Sequence, residues 1–157
     1  MSLNCHPTMA WYNSLTLSRD PKFAPGFQAV AADGAFFIRT LVGNGLSSMI
    51  VNVPALQAAI GIPQDMVQST NGDLYVVSKN FHVVLRVELN KPGGTSLVTV
   101  VAGNGSPAFS GDNVSATENP LGNLMSVLLI ENSSGEVTDL IIAEANYHRI
   151  RKVNSGQ

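Results

Sequence analysis

The chain has 157 residues, 45% of them apolar and 13% charged, with a formal net charge of −2 at pH 7. That length suits one domain with a buried core, and so small a charge offers no general attraction to nucleic acid or an anionic bilayer. No apolar run approaches the roughly 18 residues that cross a membrane, the first ten residues do not read as a signal peptide, and Cys5 as the sole cysteine excludes an intramolecular disulfide or a cysteine-based zinc site.

In chain order, the sequence reads as short apolar runs punctuated by Gly, Asn, Asp and Pro. "PTMAWYNSLTLSRD" at 7–20 predicts two strands, and "GFQAVAADGAFFIRTLVG" at 26–43 predicts two more around an Ala-Asp-Gly turn. "NVPALQAAIG" at 52–61 is the one segment with helical character; it is short and ends on glycine, so one turn is expected. "DMVQS" at 65–69, "LYVVS" at 74–78, "VVLRVEL" at 83–89 and "LVTVVAG" at 97–103 read as four strands rich in β-branched residues. "NLMSV" at 123–127 and the two runs of "TDLIIAEANYHRIRKV" at 138–153 complete the series.

The chain also resembles itself. "IRTLVGNG" at 38–45 returns as "VTVVAGNG" at 98–105, sixty positions on, and "GDLYVVSKNFHVVLRV" at 72–87 returns as 138–153, sixty-six positions on. Between these, "IPQDMV" corresponds to "NPLGNLMSV" at 119–127, a proline opening each. The extra residues fall in the polar stretch "ENSSGEVT" at 131–138, as insertions in surface turns do. Four-stranded units joined by glycine-rich connections predict an all-β propeller arrangement. The expected domain is a single one, 1–157, of roughly three units: about 7–43, about 63–103, and about 120–157 without its outer strand.

"GNGSPAFSGDN…ATENP" followed by "LIIAEANYHRIRKV" resembles the NHL-repeat β-propellers, most closely over 98–153. Members of that family carry a Gly-Asn-Gly-x-x-x-Phe-Ser-Gly-Asp loop, a proline-led strand and an Asp-x-x-Asn-His-Arg-Ile segment. Here His82 and His148 hold the histidine position, with Asn80 and Asn146 two residues earlier. Ser78 and Glu144 stand where the family has aspartate, Phe81 and Tyr147 where it has asparagine, and the middle unit lacks the Phe-Ser-Gly-Asp element. The resemblance implies a ring of about six blades, so three blades make either a fragment or half of a six-bladed ring. Two copies closing a ring would bury both flanks, making self-association as a homodimer the expected partnership unless the chain is a fragment. In the dimer, "MSLNCH" is a candidate outer strand for the partner's last blade.

The glycine loop at 100–113 is open to two readings, a phosphate cradle or a joint between units. A P-loop needs a Lys after its second glycine, but Gly105 is followed by "SPAFSGDN". Gly43 and Gly45 repeat Gly103 and Gly105, as a joint requires, with glycine supplying positive φ at the exit from a strand. Phe109 is expected to seal the joint and Asp112 to hold its turn through backbone amides. His82 and His148, recurring with the repeat, read as structural hydrogen-bonders. In "HRIRKV" at 148–153, Arg149 and Arg151 face one way and His148, Ile150 and Lys152 the other, which splits the one basic cluster over two faces.

The expected function is a non-catalytic binding module for a protein or small ligand. Its recognition face would collect Asn80, Phe81, Phe109, Asp112 and Tyr147, with no cofactor, nucleic acid or membrane involved. The rival is a channel-metal enzyme of the lyase or lactonase type implied by related propellers. Asp65 and Asn123 are its candidate ligands for calcium or zinc. A fragment of a larger propeller with no site of its own is the third reading.

Overall fold

The structure, a computed structural model, describes residues 36–89 and 96–154. Its strands are β1 (Val53–Pro54), β2 (Pro63–Gln68), β3 (Leu74–Ser78), β4 (Val83–Val87), β5 (Leu97–Ala102), β6 (Leu124–Glu131), β7 (Val137–Glu144) and β8 (Arg149–Asn154). They form a five-stranded sheet ordered β1-β5-β4-β3-β2 and a three-stranded sheet ordered β6-β7-β8, antiparallel throughout. The architecture is therefore all-β. No helix among the described residues is long and apolar enough to cross a membrane.

The four strands expected over 63–103 are present as β2 to β5, and a fifth joins them. Val53 and Pro54 pair with Val98 and Leu97, covering the edge that β5 would otherwise expose. Pro54 then opens the single turn expected over 52–61, its carbonyl accepting from the Gln57 and Ala58 amides. The last unit has three strands among its described residues, with β8 at the edge. The first unit, about 7–43, lies almost wholly outside the described residues. Its described end, 36–43, is not the strand expected there: Phe36 and Ile38 are exposed, and no strand among the described residues pairs with them.

The two described units share one register. Val67 lies opposite Tyr75, and Tyr75 opposite Arg86; Leu128 lies opposite Ile141, and Ile141 opposite Lys152. A bulge follows the first strand residue in both, after Pro63 and after Leu124. Even the ion pair recurs, Arg86 with Asp73 at 2.5 Å and Lys152 with Asp139 at 3.0 Å. One detail of the sequence alignment is corrected: the prolines do not coincide. Pro63 matches Leu124, while Pro120 is buried in the joint ahead of β6.

Because side chains alternate along a strand, β3 can serve two cores at once, and all five of its residues are buried. Leu74 and Val76 point into one cluster with Leu85, Val87 and Val98, closed by Ala55 and Ala58 of the joint. Tyr75 and Val77 point into the other, with Val84 and Ala102, against Leu124, Val127 and Ile142 of the second sheet. β6 thus stacks over β2 and β3. Polar ties run beside this apolar contact. Asp65 Oδ2 accepts from the Val127 amide at 3.0 Å, and the Thr70 amide and hydroxyl both donate to the Glu131 carboxylate.

Candidate functional site

The two joints are built alike. Gly43 and Gly45 have φ of 106° and 79°, and Gly103 and Gly105 have 91° and 87°. Asn44 accepts from the Leu46 amide and donates to the Gln57 carbonyl; Asn104 accepts from the Ser106 amide (3.0 Å) and donates to the Glu118 carbonyl (2.9 Å). Gly43 and Gly103 donate to the Ala55 and Ala116 carbonyls. The asparagine closes the loop on itself, which is the geometry of a joint. Gly103 is also pressed against the preceding unit: an added Cβ would collide with the His82 carbonyl oxygen and lie 2.9 Å from the Val83 Cα.

The recurring histidines share a left-handed backbone, φ 53° at His82 and 51° at His148, a conformation uncommon outside glycine. His82 Nδ1 donates to the Gly122 carbonyl of the next unit at 3.0 Å. His148 is exposed, and its ring has no hydrogen-bond partner among the described residues.

The residues expected on the recognition face fall into two groups. Asn80 and Phe81 sit on Gly61, where Asn80 Oδ1 accepts from the Ile62 amide at 2.6 Å and Phe81 packs on the first core. Tyr147, the counterpart of Phe81, lies over Gly122 and donates its hydroxyl to the Pro107 carbonyl at 2.7 Å. Phe109 and Asp112 join it from the joint. The rings of Phe109 and Tyr147 are 6.0 Å apart at 47°.

What organises this second group are two arginines of β8. The Arg149 guanidinium stands 3.6 Å over the Phe109 ring and 5.9 Å from that of Tyr147, an exposed cation–π arrangement of about 0.5–1 kcal/mol. Arg151 donates to the Gly111 carbonyl (2.8 Å), Asp112 Oδ1 (2.8 Å) and Asn119 Oδ1 (3.1 Å), gathering the joint onto the sheet. Asp112 is therefore held by Arg151, where the sequence suggested its own backbone amides. Behind Arg151 lies Glu144, fully buried. Its Oε1 accepts from the Gly122 amide at 2.6 Å, and its Oε2 makes no hydrogen bond and sits 4.0 Å from Arg151 Nε. The alternation in "HRIRKV" placed both arginines on one face, but nothing in the sequence joined Glu144 or Asn119 to them.

The candidate metal ligands are engaged with backbone. Asp65 Oδ1 and Oδ2 accept from the Met66 and Val127 amides, while Asn123 is tied to Ala145 through its backbone carbonyl alone. No group of three or more His, Cys, Asp or Glu gathers in metal-holding geometry among the described residues. At the β7–β8 turn, Met125, Ala143, Glu144, His148, Arg149 and Ile150 line an open, mainly apolar groove of about 500 Å³. No protein-family model matches this sequence, and no curated protein matches it.

Proposed function

We propose that this chain is a non-catalytic binding module, for a protein segment or small ligand, built from NHL-type propeller units. The observation that carries the reading is the exposed cluster in which Arg149 lies over Phe109 beside Tyr147. Arginine and aromatic side chains dominate binding energy at interfaces because they offer large, rigid contact area together with a polar handle. The cluster is also held from behind by Arg151 and its bonds to Gly111 and Asn119, so little ordering is left to do when a ligand arrives. The exposed Arg149 guanidinium suits a segment bearing an acidic or aromatic side chain. The recurring joints and matched registers support propeller units as the scaffold.

The test is selection from a displayed random peptide library on the full chain. Binders enriched in acidic and aromatic residues are expected, and Phe109→Ala with Arg149→Ala should weaken them at least tenfold while the thermal melt changes little. Failure to select any binder, or binders that keep full affinity for the double variant, would refute the reading.

A further inference from the structure

The sequence contains three Asn-Gly steps, Asn44-Gly45, Asn71-Gly72 and Asn104-Gly105. In each, the asparagine Oδ1 accepts from the amide two residues on: Leu46 at 2.9 Å, Asp73 at 3.2 Å and Ser106 at 3.0 Å. That bond closes a ring containing both the asparagine Cγ and the glycine nitrogen, which keeps the two atoms neighbours. It also sets an N–H donor on the oxygen that would gain charge if the nitrogen attacked Cγ, and such donors stabilise an oxyanion. Glycine has no Cβ to obstruct the approach.

Backbone conformation does not separate the three steps, since Gly45, Gly72 and Gly105 have φ of 79°, 93° and 87°. The attacking nitrogen does. The Gly72 amide is buried and donates to the Ser69 carbonyl at 2.9 Å, so its proton is held and water is kept from it. Gly45 and Gly105 are exposed, and their amides make no hydrogen bond among the described residues. A Cβ added at Gly45 would meet nothing within 4 Å, and one at Gly105 only the Phe81 carbonyl oxygen at 3.8 Å, so solvent reaches both steps.

We propose that Asn44 and Asn104 are sites of deamidation in the folded protein and that Asn71 is protected from it. Hydroxide takes the glycine amide proton, and the nitrogen bonds to the asparagine Cγ. The Cγ–Nδ2 bond breaks, and Nδ2 leaves as ammonia with a proton returned by water. Water then adds to either carbonyl of the resulting succinimide and opens it to aspartate or isoaspartate; nothing is oxidised or reduced. Both joints change alike. The Nδ2–H groups that donate to the Gln57 and Glu118 carbonyls give way to carboxylate oxygens that repel them, and isoaspartate adds a methylene to the backbone. Each joint therefore loosens as the molecule ages. Deamidation at the joints stands apart from the Phe109 cluster, so a chain that binds no selected peptide can still deamidate, and the reverse.

Peptide mapping by mass spectrometry tests it, on the full chain held in mildly alkaline buffer made with oxygen-18 water, folded and in guanidinium chloride. Dividing each site's folded rate by its own unfolded rate removes the influence of flanking residues. The ratio should be near or above one at Asn44 and Asn104 and at least tenfold lower at Asn71. Ratios at Asn44 and Asn104 as low as that at Asn71, or conversion first at Asn71 in the folded chain, would overturn the proposal. Asn104→Asp installs one product directly and should lower the melting temperature; a melt equal to wild type would refute the loosening of the joint.

Discussion

Removing Arg151 should cost the protein more than any other single change at the surface of β8. Its side chain is only 12% exposed and Glu144 behind it is fully buried, so Arg151→Met leaves a carboxylate inside the protein with its counter-charge gone. At 4.0 Å the attraction is about 4 kcal/mol for an effective dielectric near 20, and breaking buried pairs typically costs about 3–5 kcal/mol. The bond to Asp112 adds little, because that carboxylate is 77% exposed and contributes about 0–1 kcal/mol. A loss of about 3 kcal/mol follows, which for a domain of this size lowers Tm by about 6–12 °C. Circular dichroism melts and urea titrations of Arg151→Met, Glu144→Gln and the double variant measure it. Neutralising Glu144 should recover more than about 1 kcal/mol of the Arg151 loss, the sign of a coupled pair. An Arg151→Met melt within about 1 °C of wild type, or additive single losses, would refute the argument.

Three further outcomes are expected. Gly103→Ala should destabilise by more than about 2 kcal/mol, through positive φ and collision with His82, whereas Gly105→Ala, nearest to the Phe81 carbonyl oxygen at 3.8 Å, should lose only the strain of about 1 kcal/mol; denaturant titration separates them. Asp73→Asn should cost about 1–2 kcal/mol and Asp139→Asn under about 0.5, since Asp73 and Arg86 are the less exposed pair, and equal losses in thermal melts would contradict that. Burial raises the Tyr75 phenol above its ordinary 10.0, the Arg86 charge pulls part of the way back, and Asp73 and Glu131 add to the rise. The unfolded chain then releases this proton first, so stability falls as pH climbs above about 10 towards the folded value. Tyr75→Phe should flatten that fall, and an unchanged alkaline slope would count against a buried phenol.

Much of the fold was legible because it repeats. Two Gly-Asn-Gly joints sixty residues apart, and two histidines sixty-six apart, announced equivalent units; the joints agree in φ angles and hydrogen bonds, and the histidines in φ. β1 was not legible, since a two-residue strand containing proline has no periodicity to read. Pro63 and Pro120 are alike in type but not equivalent in place, because the ladder pairs backbone positions and sets Pro63 against Leu124. Asp112 was misassigned for a similar reason. A turn carboxylate has amides beside it in sequence, and only the fold brings Arg151 to it.

The strands of the middle and last units and the joint character of "GNG" follow from the sequence by itself, because local periodicity and φ preferences act over a few residues. Which exposed residues form a site was decided by the tertiary structure. Arg149 reaches Phe109 across forty residues of chain, and Glu144 acquires its cation only when β7 and β8 pair. The apolar outer face of the last sheet was likewise invisible until the fold placed it. Ile141 and Tyr75 are equivalent in pattern, and among the described residues only packing determines which of them has a sheet above it.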